Sequence, residues 1–334
     1  MNDYYVSIRK FPDNLRPNDE NLFVHELERK FPQNKIKIFN WILVDSNGTF
    51  CTYKNLPLEI TKKSSVYPLS RRKYFFFLIK SFFSGQLKIL RRNCIWFTDN
   101  WSKGYFHWMM DALPRLIEVE NNGHISTIYL PSFLNDNEYV DASLKRLGYQ
   151  NIKYMIPDQL YLLRKMVFQT HIATTGNYKE ENLQKLKKRF TNSSYTQKEF
   201  THNGLYISRK KAQRRRILNE DEIYPILKKY KIAIVFFEDL SWHQQVELCI
   251  NTHFIIGLHG AGLTNMLFMP SGSKILEFRK VDDNHNNCYF SLANALNHKY
   301  YYQLLEADKE EVLNADFNID PTEFEMNIQK ILDE

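Results

Sequence analysis

The chain is short of the features that mark several protein classes. Its four cysteines, Cys51, Cys94, Cys249 and Cys288, are scattered, with no Cys-x-x-Cys pair and no histidine at ligand spacing. That pattern argues against a disulfide framework or a zinc module and fits a reducing compartment. No apolar run reaches the roughly 18 residues that a spanning helix needs. The opening MNDYYVSIRKFPDN lacks the apolar core of an export signal, so the Asn47-Gly48-Thr49 acceptor triplet carries little weight. A cytoplasmic protein is expected, peripheral at most on the inner face of the cell membrane. No internal repeat or low-complexity tract is present.

What is present describes a folded protein of two domains. The 334 residues exceed a typical domain of about 100–200. A composition of 43% hydrophobic and 25% charged residues excludes disorder. Aromatic residues are plentiful, at 24 Phe, 20 Tyr and 5 Trp, and suit both packed cores and pockets that stack flat ligands. A net charge of +7 favours anionic partners such as nucleotides, acidic lipid surfaces or nucleic acid.

Residues 1–70 read as short strands and turns, with KIKIFNWILV (Lys35–Val44) alternating as a strand and Asn47-Gly48 as a turn. Tyr74–Phe83 is a mostly apolar stretch between basic clusters. It reads either as core with solvated ends or as an interfacial segment on an anionic membrane, and runs this short are usually core. CIWFTDNWSKGYFHWMMDALPRLIEVE predicts a strand, a polar turn and a helix. STIYLP is a strand; DASLKRLGY and ENLQKLKKRF are helices. The polar TNSSYTQKEFTHNG reads as a linker between a domain of residues 1–200 and one of 201–334. From Gly204 onward strands (GLYISR, KIAIVFF, THFIIGL, SKILEF, KYYYQLL) alternate with helices. Asn219 with Glu222, and Ser241 with Gln244, stand at capping-box spacing before two of those helices. This order predicts an α/β fold with a parallel sheet covered by helices.

Ligands of open α/β sheets bind beyond the carboxyl ends of the strands. Leu258-His259-Gly260-Ala261-Gly262 occupies such a position, between a strand and the predicted GLTNMLF helix. Glycines let backbone N–H groups approach an anion, and a helix N-terminus adds about 0.3–1 kcal/mol. A pyrophosphate needs charge-assisted hydrogen bonds as well, of about 1.5–3 kcal/mol each. Arg209, at the end of GLYISR, is the candidate source. The run RKKAQRRR (Arg209–Arg216) has no interleaved aromatic and no nucleic-acid module around it, so nucleic acid is disfavoured. Arg216 in this run and Glu238 after KIAIVFF are additional candidates. The glycines at 257, 260 and 262 depart from the dinucleotide GxGxxG spacing, and Glu277 lies 15 residues beyond Gly262. Glu277 is a candidate for a ribose diol, or a solvated strand end; His259 reads either as a ligand contact or as a polar residue satisfying the turn.

His107 and Asp111 share one helix face at i, i+4, with Phe106, Met109, Met110 and Leu113 on another, apolar face. They read as a general base with a neighbour that holds it, or as an ordinary surface pair. Pro114 is expected to kink or restart the helix, so Arg115 cannot be projected with them.

FHWMMDALPRL, YISRKKAQRRRILNEDEI, ELCINTHFIIGLHGAGLTNMLFMPSGSKILEF and YFSLANALNHKYY together resemble glycosyltransferase family 61, over about Cys94–Arg115 and Gly204–Tyr302. The resemblance implies a GT-B-like fold of two Rossmann-like domains with parallel sheets facing a central cleft, residues 1–200 on the acceptor side and 201–334 binding the donor. It implies inverting transfer from a nucleotide-sugar to a hydroxyl of a glycan or lipid-linked glycan, as in capsule and other surface polysaccharide synthesis. No cofactor and no obligatory metal are expected. His259, Gly260, Ala261, Gly262, Leu263 and Asn265 would lie at the donor diphosphate, with Arg209 as cationic partner and Glu277 near the nucleoside. His107 and Asp111 match the family's histidine–aspartate motif on the acceptor side of the cleft, with Asp111 as the expected base. The residues agree: the reaction needs a base and charge stabilisation, and the chain has no Asp-x-Asp to hold a metal. The competing readings are an NAD-dependent oxidoreductase, disfavoured by the glycine spacing, and a non-catalytic nucleotide or nucleic-acid binding protein.

Overall fold

The computed structural model describes residues 4–52, 66–68, 71–120, 127–191, 202–312 and 314–334. Contacts divide the chain into two compact units, Pro32–Thr175 and a second made of Met1–Phe31 with Gly176–Glu334. The division differs from a boundary near residue 200, and most of the polar stretch that predicts that boundary lies outside the described residues. Packing gives the reason. The Glu180–Thr191 helix buries Leu186 and Phe190, and Phe190 meets the rings of Trp242 and Phe268. Arg9 is buried in bonds to Glu26 and Asn177. Asp13 and Asn14 bond the backbone of Tyr300 and Tyr302, covering an edge that would otherwise stay open.

The C-terminal unit holds a six-stranded sheet in the order Ile232–Val235, Gly204–Ile207, Phe254–Leu258, Lys274–Lys280, Lys299–Ala307, Phe317–Asn318. All neighbours pair in parallel except the last two strands. The register aligns Leu205, Ile255, Ile275 and Tyr300 in one row and Tyr206, Ile256, Leu276 and Tyr301 in the next. Successive residues face opposite sides, so the two rows fill two cores. The second row packs with Leu227, Phe324, Ile328 and Ile331 from helices on its face. Burial on both faces explains why these strands read as unbroken apolar runs. Ser241 and Gln244 form both bonds of the capping box. Asn219 does not cap its helix: its amide bonds Glu222 and the Ile319 carbonyl, and a short 3₁₀ turn precedes Tyr224–Lys229.

The N-terminal unit is built differently from a Rossmann-like parallel domain. Its five-stranded sheet runs Val66–Pro68, Phe50–Thr52, Ile36–Asp45, Leu160–Gln169, Leu87–Trp96. Ile36–Asp45 pairs antiparallel with both of its neighbours. The tight turn through Asn47 and Gly48, with Gly48 at φ +81°, folds the chain back on itself and forces the first of those pairings. The Tyr74–Phe83 segment is not uniformly core. It belongs to the helix Arg71–Phe83, on which Phe76, Ile79, Phe82 and Phe83 are exposed.

One glycine sits where the sheet leaves no room. A Cβ on Gly204 would lie 2.9 Å from the Phe254 carbonyl oxygen and 3.0 Å from its side chain. Gly204→Ala is expected to destabilise the fold by about 1–3 kcal/mol, seen as a lower urea midpoint at unchanged slope. An unchanged midpoint would show that the two strands can part without cost.

Candidate functional site

The C-terminal unit gathers a charged cluster at the carboxyl ends of its parallel strands. The register places Gly257 between Ile207 and Glu277. The chain then turns through His259 and Gly260 into a 3₁₀ helix, Ala261–Phe268, rather than the α-helix expected. Ala261 is exposed and His259 and Gly262 are half-buried, so the turn reaches the surface. Leu263 and Asn265 lie buried beneath it. Leu263 packs against Gly257, and the Asn265 amide bonds Gln245 at 3.1 Å. They hold the turn in place from within.

Two guanidiniums close on this turn. Nη1 of Arg209 lies 3.3 Å, and Nη2 of Arg215 3.9 Å, from the point where a Cβ on Gly260 would stand. A side chain on Gly260 would press on the Arg209 guanidinium, so the glycine leaves room for it beside the turn. Arg209 donates to the carbonyls of Arg215 (2.8 Å) and Arg214 (2.9 Å), and Arg215 donates to the carbonyl of His259 (3.1 Å). Burial lowers the Arg209 guanidinium below its ordinary value against the opposing charge of Glu238, which is itself exposed. Burial and then the charge of Arg209 lower Arg215. Two partly desolvated cations side by side form a site that an anion would stabilise.

Three other cations of the basic run are spent on surface pairs. Lys210 pairs with Asp221, Lys211 with Asp239, and Arg216 with Asp316. Arg216 is thus held away from the turn, and Arg215 is the member that sequence reasoning misses. Arg215 adopts φ +57°, and this left-handed turn decides which arginine of the triplet faces inward.

His259 is held by Glu277. Its Nδ1–H donates to Glu277 Oε1, and its ring meets Tyr289 at 4.9 Å. The other Glu277 oxygen accepts the Tyr300 hydroxyl at 2.6 Å. Burial, then the charge of Glu277, raise the Tyr300 phenol well above its ordinary value, so it stays a donor. Glu277 is 0% exposed. With both oxygens engaged it orients His259 and presents no open face to a ribose. Nε2 is the nitrogen of His259 that Glu277 leaves available.

The N-terminal unit carries the second cluster on one helical stretch. Tyr105–His107 leads through a π turn, Trp108–Ala112, into the α-helix Leu113–Glu120. Pro114 has no N–H to bond the carbonyl one α-turn back, and the wider turn accommodates it without breaking the helix. Arg115 therefore stays with its neighbours. His107 Nδ1–H donates to Asp111 Oδ2 at 2.8 Å, and the Thr175 hydroxyl donates to the same oxygen at 3.2 Å. The pair is not an ordinary surface pair: Asp111 is 7% exposed. The His107 side chain keeps 21% exposure, between the rings of Trp101 and Phe106. Asp111, the expected base, is thus enclosed with one oxygen bonded twice, and Nε2 is the nitrogen of the half-buried His107 that Asp111 does not engage.

Beneath them lies a network that the sequence does not announce. Arg115, 1% exposed, donates to Asp99 (3.2 Å) and to the Gln169 carbonyl (3.0 Å), and His171 Nε2 bonds the same Asp99 oxygen at 2.9 Å. The Arg115 guanidinium also feels the charge of Asp111. Burial alone would raise the Asp99 carboxyl; the His171 bond and the Arg115 charge overcome it and hold it at about 2 against an ordinary 3.8. A depressed carboxyl stabilises the fold above its unfolded value, and that contribution is lost as pH falls through the folded one. Asp99 is thus expected to contribute about 2–3 kcal/mol at neutral pH, lost between about pH 4 and 2. Asp99→Asn should lower neutral-pH stability and flatten the acid limb of a denaturation series; an unchanged acid limb would contradict the account.

Residues 105–276, just over half of the chain, match the Glycosyltransferase 61 family model. That span includes His107, Asp111, Arg209, Arg215 and the glycine turn. Relatives include the EGF domain-specific O-linked N-acetylglucosamine transferases of Drosophila melanogaster, 41% identical over 91 residues (26% of this chain and 17% of the relative), and of Mus musculus, 34% over 92 residues (26% and 17%). The Gallus gallus protein of that name is 33% identical over 84 residues (24% and 15%). The matched region spans less than a fifth of these relatives' length. On the match of its own residues 105–276, the chain belongs to the Glycosyltransferase 61 family.

Proposed function

We propose that this protein transfers a sugar from a nucleotide-sugar donor to a hydroxyl of a glycan or protein acceptor, with inversion at the anomeric carbon. The observation that carries the reading is the pair of guanidiniums, Arg209 and Arg215, on a glycine turn whose histidine is fixed by a buried carboxylate. This cluster suits a diphosphate, the leaving group of the reaction. The acceptor O–H attacks the anomeric carbon as the bond to the diphosphate breaks. His107 Nε2 takes the proton, Asp111 holds the imidazole, and Arg209, Arg215 and His259 stabilise the departing charge. The relatives' names make N-acetylglucosamine the first sugar to test. Synthesis of a capsule or other surface polysaccharide in the cytoplasm, on a glycan or lipid-linked glycan, is the setting that the family resemblance favours.

Arg209→Ala and Arg215→Ala are each expected to weaken nucleoside diphosphate binding by about 2 kcal/mol, near 30-fold, in calorimetry. Arg216→Ala, whose guanidinium is held by Asp316, should change it less than about twofold. Equal effects at all three positions would dissolve the distinction and, with it, the diphosphate role.

Asp111→Asn should leave donor affinity intact and slow transfer by about two to four orders of magnitude. Transfer at the wild-type rate would remove the pair from the chemistry. Transfer should also persist in EDTA, and its loss would point to a metal-dependent route.

A further inference from the structure

The Arg71–Phe83 helix presents an apolar face to solvent. Phe76, Ile79, Phe82 and Phe83 are 70%, 56%, 60% and 82% exposed. At 100° per residue these four side chains, with the exposed Phe75, fall within an arc of about 120°, which Arg72 also enters from the first turn. Single exposed apolar residues are ordinary on a protein surface; a continuous aromatic stripe marks a surface that docks. Arg72 and Lys80 are exposed on the same helix. The Gly85 turn leads straight into the strand Leu87–Trp96, where Ile89, Arg91 and Arg92 are exposed. Charge along this part of the chain has one sign. Between Glu59 and Asp99 there are nine lysines and arginines and no aspartate or glutamate.

These features together choose the occupant. We propose that the Arg71–Phe83 helix docks the N-terminal unit on an anionic lipid surface, its aromatic stripe in the acyl boundary and its cations at the headgroups. A second copy of the chain is a poor occupant, because an isologous contact would set these like charges against each other. An acidic bilayer matches both the stripe and the charge. The helix has 13 residues, about 20 Å at 1.5 Å each. That is short of the roughly 30 Å hydrocarbon core, so it lies in the interface and does not cross. Among the described residues no helix is long and apolar enough to cross a membrane. The inference does not rest on the sugar-transfer reading.

The test is co-sedimentation of the full chain, without any nucleotide, with vesicles of phosphatidylcholine alone and of phosphatidylcholine with an equal amount of phosphatidylglycerol. Binding is expected only to the phosphatidylglycerol vesicles, and to weaken as salt is raised. The triple variant Phe76→Ser, Ile79→Ser, Phe83→Ser should keep the wild-type circular dichroism spectrum and lose at least about tenfold in partitioning. Arg72→Ala and Lys80→Ala should each cost about fivefold. These charge variants decide the matter should the triple variant fail to fold. No binding to either vesicle, full binding by the triple variant, or a wild-type dimer that the triple variant dissociates would each overturn the proposal.

Discussion

One buried carboxylate organises the glycine turn. Glu277 has no exposed surface, and a carboxylate in that position is costly unless its oxygens are bonded. The parallel register delivers it beside Gly257, where His259 and Tyr300 take one oxygen each. The bond to His259 fixes the imidazole, the carbonyl of His259 accepts Arg215, and the carbonyl of Arg215 accepts Arg209. A chain of short contacts thus runs from the sheet interior to two cations at the surface turn. Removing its buried end would leave the exposed end without a fixed geometry.

The N-terminal unit uses the same physical device on a different scaffold. Asp99, Arg115 and His171 form a buried charged network under the helix, and the pair Asp111–His107 sits above it. Positive charge from Arg115 reaches both aspartates. In each unit a half-exposed histidine is oriented by a buried acid, and in each the acid is satisfied from more than one side. Groups held in this way are already placed before a ligand arrives, which is what a transfer reaction requires of its base and of its leaving-group site.

Much of this was legible in the residues. The alternation of strands and helices after Gly204 predicts the parallel sheet, the Ser241–Gln244 spacing predicts a cap that forms, and i, i+4 spacing pairs His107 with Asp111. What was not legible turns on long-range packing or on backbone dihedrals. Nothing local says that Arg215 rather than Arg216 faces the turn, since a left-handed φ at one residue decides it. Glu277 reads as a strand end, and only the register shows it to be enclosed. The bonds of Asp13 and Asn14 to Tyr300 and Tyr302 join residues nearly three hundred positions apart, so no pattern in the first residues reveals their unit. Tyr74–Phe83 has apolar residues all round, and such a run carries no period that would say which of them meet water.

The central claim is that a buried acid holds His259 for a diphosphate. It is tested most directly by calorimetric titration of a panel of nucleoside diphosphates into the wild-type chain and into Glu277→Gln, which keeps the shape and removes the charge. The account predicts that at least one diphosphate binds the wild type and binds the variant about tenfold more weakly, with the fold intact by circular dichroism. Equal affinity in the two proteins, or no binding by the wild type across the panel, would contradict it.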